Sequence, residues 1–190
     1  MAEELLRALL LDIPEALETR RLQLRAVDAG HGAASHAAMA ESFAELHPWM
    51  PWAKEMQSAD QSEANARGTR AKWLAREALD YAWFRKSDGH LVARGGLHTI
   101  DWSIPKFEIG YWVRTSCARQ GFASEGTQAL VELARDVLGA RRIEIGSDAR
   151  NLASRRVAEK CGFALEGILR NSRRANDGSL ADSCMYALVF

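Results

Sequence analysis

A chain of 190 residues with 47% hydrophobic content is long enough to bury a sizeable core and too apolar for wholesale disorder. Its 25 basic and 25 acidic residues give a formal net charge of +0, which argues against a general nucleic-acid binder, since such a protein needs a basic excess. Cys117, Cys161 and Cys184 are odd in number and widely spaced; they fit neither a disulfide framework nor a zinc motif and suit a reducing cytoplasm.

Residues 1–17 read as a short helical extension packed on the remainder of one domain spanning 1–190. Leu5, Leu6, Leu9, Leu10 and Leu11 supply its apolar positions, while Glu3 and Glu4 stand where a signal peptide would be basic. No apolar run reaches membrane-span length. Residues 19–25 alternate Leu22 and Leu24 with polar neighbours and predict a first strand. An Ala-rich helix over 29–46 ends at His47-Pro48-Trp49-Met50-Pro51-Trp52, where two prolines deny regular structure. A second helix is expected over 58–79, with Trp73, Leu74 and Ala78 inward. Strands over 81–85 and 91–100 flank the hairpin turn Ser87-Asp88-Gly89-His90, and 107–113 continues the sheet.

The second half alternates helix and strand. Residues 125–138 place Ala129, Leu130, Leu133, Ala134 and Val137 on one helical side, with Gly139 as the stop. A strand follows over 142–146, then a helix capped by Asn151 and running through Cys161. Strands over 163–169 and 183–189 surround the turn Asn176-Asp177-Gly178. The pattern is that of a mixed α/β domain, antiparallel hairpins first and a βαβα unit later.

The run Arg119-Gln120-Gly121-Phe122-Ala123-Ser124-Glu125-Gly126 opens directly onto a helix. Its backbone N–H groups lack intrahelical partners and, with the positive end of the helix dipole, suit an anionic phosphate. The aromatic strand just upstream makes the order strand, tight loop, helix, as expected of a phosphate-bearing cofactor site. The loop lacks the Gly-Lys-Ser/Thr ending of a P-loop and the three glycines of a dinucleotide fold. Taken alone, it serves equally as a helix-capping turn.

Asn151-Leu152-Ala153-Ser154, Glu159-Lys160-Cys161-Gly162-Phe163 and Glu166-Gly167 extend the pattern. With the opening 17–25, the segment 49–52, the strand 108–113, Asp182 and Tyr186, they resemble the GNAT acyltransferase superfamily, specifically the RimJ/RimL-like N-acetyltransferases. The resemblance covers nearly the whole chain. It implies a curved, mostly antiparallel sheet of about seven strands with flanking helices. Two adjacent parallel strands, 107–114 and 142–147, splay apart to admit acetyl-CoA. Pantetheine is then expected along the strand near Trp112 and Val113, with Asn151 and Ser154 close by. The pyrophosphate falls to Arg119, Gln120, Gly121, Ala123 and Ser124. Arg119 stands where the family often has glycine, so the loop is expected in a somewhat altered form.

The resemblance also implies the chemistry. Ser154 matches the position whose hydroxyl lies near the CoA sulfur, and is the expected proton donor to the thiolate; a helix-start serine bonded to backbone is its alternative. Glu108 is the expected base, acting through water, against the alternative of a strand-edge glutamate paired with a surface base. Some RimL-type members place a glutamate after the Glu-Gly pair; here Arg170-Asn171-Ser172-Arg173-Arg174 offers no carboxylate. These arginines are the best local basic cluster and read as exposed and solvated. Trp49 and Trp52 either line an acceptor site or pack as a lid over the core. His47 and His98 are isolated, and no metal site is expected. Cys161 reads as core rather than nucleophile.

The expected acceptor is a primary amine, the N-terminal α-amine of a protein, with a ribosomal protein implied by the resemblance. Small-amine acetylation (polyamine, amino acid or antibiotic) and a non-catalytic acyl-CoA sensor are the alternatives. No nucleic-acid or membrane partner is expected, and a cytoplasmic homodimer is implied.

Overall fold

Leu22 and Leu24 are fully buried, as their alternation requires, and lie on strand β2 (Leu22–Ala26). The structure, a computed structural model, describes residues 2–190. The strand expected over 19–25 is the end of a hairpin. Strand β1 (Ala16–Glu18) leads in, Thr19 N–H donates to Leu22 O, and β2 returns antiparallel. Helix α1 (Ala2–Leu9) precedes it; Arg76 donates from Nε to Ala8 O at 3.1 Å and from Nη2 to Leu11 O at 3.0 Å. Leu5, Leu6, Leu9 and Leu10 stay exposed.

Helix α2 (Gly32–Leu46) is followed by the turns of residues 47–55 and by α3 (Ala59–Leu74). Ser58 caps α3 reciprocally with Gln61, satisfying two N-terminal N–H groups. The helix stops short of the expected residue 79 because Arg76 turns left-handed at φ 60. Leu74 is accordingly exposed, while Trp73 is buried as expected.

Strands β3 (Leu79–Arg85), β4 (Leu91–Asp101) and β5 (Lys106–Val113) form a meander. Helix α4 (Phe122–Glu132) starts three residues before the expected 125 and loosens into a π-turn over Leu133–Val137. That wide turn rotates the last positions, leaving Val137 exposed rather than inward. Strand β6 (Arg142–Asp148), helix α5 (Leu152–Lys160) and strands β7 (Ala164–Arg174) and β8 (Leu180–Val189) complete the fold. The last two strands are longer than their sequence pattern indicates. All eight strands share one sheet in the order β1-β2-β3-β4-β5-β6-β8-β7, and only β5 and β6 are parallel neighbours.

Alternation along the strands divides the core between two faces. Ala82 and Trp112 meet Ala38, Met39 and Ala66 of α2 and α3. Trp83, Ile109 and Ile145 belong instead to the cluster that includes Leu130 and Ala134. Gly126 lets α4 approach the sheet closely, because a Cβ there would run into the Trp83 ring. We expect Gly126→Ala to cost about 1–3 kcal/mol, read as a lower urea midpoint; an unchanged midpoint would show that the helix can shift freely.

Candidate functional site

Strands β5 and β6 stay in register over only three pairs, ending at Glu108 opposite Glu144. Beyond that point β5 remains paired with β4 as far as Val113, and β6 with β8 as far as Asp148. The sheet therefore opens between them, leaving one edge of β5 free. Arg114 N–H donates to Val92 O, so alternation turns the N–H groups of Tyr111 and Val113 towards the opening. A cavity of about 720 Å³ lies here. Its walls bring together Trp49, Trp52, Glu108, Trp112, Asn151 and Ser154, six of the residues the sequence singles out.

Glu108 sits at the parting of the strands. Gly146, on the facing strand, leaves room for its carboxylate: a Cβ there would stand 3.0 Å from Glu108 Oε1. On β4, His98 pairs in register with Glu108, and its Nδ1 lies 3.8 Å from Glu108 Oε2. The ring overlies Gly110, where a Cβ would meet Nε2 at 2.6 Å. Just after His98 the register shifts at a bulge, and Thr99 takes φ 49, an unusual conformation for a β-branched residue. Thr99 Oγ1 is 3.0 Å from His98 Nδ1. His98 is thus a member of the site and not the isolated histidine its sequence context suggests.

Ser154 approaches from α5. Its N–H donates to the Asn151 side chain at 3.1 Å, as an N-cap requires. Its hydroxyl does not turn back on the helix; Oγ lies 3.2 Å from the hydroxyl of Tyr111, which also reaches Ser154 O at 3.3 Å. Burial pushes the Tyr111 phenol up to about 12, so it stays protonated at neutral pH. Sequence reasoning missed this pairing, which joins residues 43 positions apart. Ser147 Oγ, on β6 beyond the parting, is buried and lacks a partner among the described residues, leaving a free polar atom for a ligand.

One side of the cavity is walled by the link between α2 and α3. Trp52 leans on Trp112 with ring centroids 6.3 Å apart. The Asn176 side chain donates to His47 O at 2.6 Å and Met50 O at 2.9 Å, so the turn between β7 and β8 clamps this wall. His47 itself ties the turn through Nδ1, 2.8 Å from Ala53 O. Arg173 is half-buried and committed to Asp148, whose side chain is only 1% exposed and is also held by Arg150. The basic run 170–174 is therefore not uniformly solvated. Burial disfavours the Asp148 carboxylate, but hydrogen bonds from Arg150 and the charge of Arg173 outweigh it and keep the carboxyl below its ordinary range.

The loop 119–124 lies outside this cavity, at the start of α4. Among the described residues, none of its six backbone N–H groups has a protein acceptor. Gly121 adopts φ 84 and Arg119 φ 60, the left-handed conformation that favours glycine. This explains why glycine suits position 119; arginine takes the same left-handed conformation there. Arg21, unremarked in the sequence, braces it: Nη1 donates to Gln120 O at 2.9 Å, Nε to Glu125 at 2.6 Å, and the guanidinium covers the Phe122 ring. Burial would raise the Glu125 carboxyl, but hydrogen bonds from Thr19 and Arg21 hold it below its ordinary value. Cys161 joins the loop to α5 through Sγ, 3.5 Å from Ser124 O, and burial raises its thiol to about 11, unsuited to a nucleophile. The unpartnered N–H groups and the open edge of β5 fit a phosphate at one end of a ligand and amides along its length.

Such an opening can hold an extended ligand between two strands. Residues 21–164 match the family described as acetyltransferase (GNAT) domain, and the chain belongs to that family. It is 28% identical over 173 residues to the uncharacterized N-acetyltransferase YoaA of Bacillus subtilis (strain 168), covering 91% of this chain and 96% of that protein. It is 26% identical over 168 residues to the ribosomal-protein-serine acetyltransferase of Escherichia coli (strain K12), covering 88% and 92%. Among solved structures it is similar to the RimL ribosomal alpha-N-protein acetyltransferase in complex with coenzyme A. That likeness has a TM-score of 0.85 and 27% identity, over 94% of this chain and 97% of the other. The protein is an acetyl-CoA-dependent N-acetyltransferase with the GNAT fold, its sheet one strand larger than expected. Among the described residues, no helix is long and apolar enough to cross a membrane.

Proposed function

We propose that this protein transfers the acetyl group of acetyl-CoA to the α-amine of a protein N-terminus, with donor and acceptor bound together. The observation that carries the reading is the opening between β5 and β6, lined by Glu108 on one side and Ser154 on the other. The name of the E. coli relative supports a ribosomal-protein acceptor and that of the RimL alpha-N-protein acetyltransferase an α-amine, and peptides beginning with Ser or Ala are the first to try.

Acetyl-CoA supplies the activated acetyl group as a thioester. The free edge of β5 holds the pantetheine amides through Tyr111 and Val113, the Trp112 backbone being turned towards β4, and the N–H groups of 119–124 hold the pyrophosphate. Glu108 takes the proton of the acceptor ammonium, directly or through water. The neutral amine then attacks the thioester carbon. N–H groups near Val113 stabilise the carbonyl oxygen as it becomes anionic. The C–S bond breaks as the Ser154 hydroxyl gives its proton to the sulfur and takes one from the Tyr111 hydroxyl, which is reprotonated by water. The acetylated nitrogen loses its extra proton to water and becomes the amide. A ribosomal acceptor fits a cytoplasmic site of action. A homodimer is the expected assembly, measurable by light scattering.

The test is acceptor-dependent release of CoA thiol, with mass spectrometry of the product, across N-terminal peptides, polyamines and amino acids. Turnover confined to small amines would replace the protein acceptor. Tight CoA binding without release would replace the enzyme reading by that of a sensor. Ser154→Ala is expected to slow transfer by about 100-fold while leaving CoA affinity nearly intact. A large affinity loss instead would make Ser154 a binding residue.

A further inference from the structure

Arg94 is a cation in the cavity that the chemistry above leaves unused. It lies on β4 opposite Trp112, two residues from the pair Gly96–Gly110. Among the described residues, no carboxylate comes within ion-pair distance of it. Nη1 donates to Asn65 Oδ1 at 3.2 Å and Nη2 approaches Thr69 Oγ1 at 3.5 Å, both neutral groups one turn apart on α3. Burial lowers the Arg94 pKa from its ordinary value, and the charge of Asp80 opposes that shift from a longer distance. A guanidinium has five N–H donors in a planar fork matched to a carboxylate. Here two donors are engaged by neutral atoms, and the fork keeps donors to spare. The arginines prominent in the sequence cannot substitute: Arg173 is committed to Asp148, and Arg174 donates to Gly178 O.

We propose that Arg94 is an anion-binding subsite of the acceptor cavity, selecting amines that carry a carboxylate several bonds beyond the nitrogen. The proposal rests on the reading that the amine is acetylated beside Glu108. Arg94 is two residues along β4 from the partner of Gly110 and four from His98, the partner of Glu108. At about 3.4 Å per residue, this separates the side-chain base of Arg94 from the reacting region by roughly 7–14 Å. The carboxylate of a free α-amino acid is too close to its own nitrogen to span that gap. An acidic side chain on the second or third residue of a peptide reaches it, since an extended chain advances about 3.3–3.6 Å per residue. Lys72, exposed on the same wall, adds positive charge, while Asp80 and Glu108 also line the cavity and disfavour a second acid placed near the reacting nitrogen.

The test compares peptides that start with Ser and carry either Glu or Gln at the second or third residue. The native protein should favour one Glu peptide by about tenfold in kcat/KM, mainly through KM. Arg94→Gln should bring that ratio close to one, and Arg94→Lys should restore part of it. No preference in the native protein, or a preference that survives Arg94→Gln, would overturn the subsite. If no peptide is acetylated, the protein-acceptor reading fails by itself. The same comparison is then made with 6-aminohexanoate and 6-aminohexanol, where an Arg94-dependent preference for the acid would leave the subsite standing. If neither series turns over, calorimetry of the Glu and Gln peptides with CoA-loaded protein decides, and equal affinities would reject the proposal.

Discussion

Replacing Glu108 by Gln is expected to lower kcat by about 100-fold to 10,000-fold, the range typical of losing a general base. The substitution keeps the side chain's size, so the space over Gly146 and the approach of His98 are little disturbed. What is lost is the ability to accept a proton from the incoming ammonium. A free α-amine has a pKa of about 8, so its neutral fraction falls about tenfold for each pH unit below that. Without the carboxylate the enzyme must wait for amine that is already neutral, and the deficit should grow as pH falls. The decisive measurement is the pH–rate profile of both proteins at saturating acetyl-CoA. Parallel profiles would remove Glu108 from proton transfer, and an unchanged CoA affinity would show that the loss is chemical.

Trp83→Ala is expected to cost about 3–5 kcal/mol, a large share of the roughly 5–15 kcal/mol that holds a typical domain together. The indole is fully buried, and its Nε1 donates to Gly95 O at 3.3 Å. It fills the space beneath Gly126 and stacks on Tyr111 with ring centroids 6.5 Å apart. Truncation leaves a cavity that neither the helix nor the sheet can close without moving. Because Tyr111 contacts Ser154, loosening should reach the reaction site as well as the urea midpoint. Trp83→Phe, which keeps a ring but loses the N–H, should fall between the two. A midpoint unchanged in Trp83→Ala would show that α4 collapses onto the sheet without penalty.

The two strands β5 and β6, the tight loop before α4 and the Asn151–Ser154 helix start were legible because each rests on local pattern: alternation, a glycine before a helix, a capping side chain; the parallel pairing of the two strands came from the resemblance. The family resemblance supplied their assembly into one opening. The role of His98 was not legible, because it depends on which residue of β4 faces Glu108. That register passes through the bulge at Thr99, where a β-branched residue in a left-handed conformation leaves no sequence signal. Arg173 was misjudged, and Arg94 passed over, for a related reason. Charge runs attract notice in a sequence, yet Arg173 is neutralised by Asp148 across the sheet, while the solitary Arg94 lines the cavity with donors to spare. The end of α3 was overrun because nothing in Arg76 announces a left-handed turn.

The Asn176 clamp separates two kinds of change in this molecule. On the proposed function, the donor end is fixed by α4, α5 and the free edge of β5, whereas one wall of the acceptor end is tied to a surface turn by two hydrogen bonds. Lengthening or shortening that turn would reset the width of the acceptor mouth while leaving the donor seat untouched. Diversification of substrates on this scaffold then has a natural place to occur, far in sequence from Trp49 and Trp52, and one that a comparison of cavity residues alone would overlook.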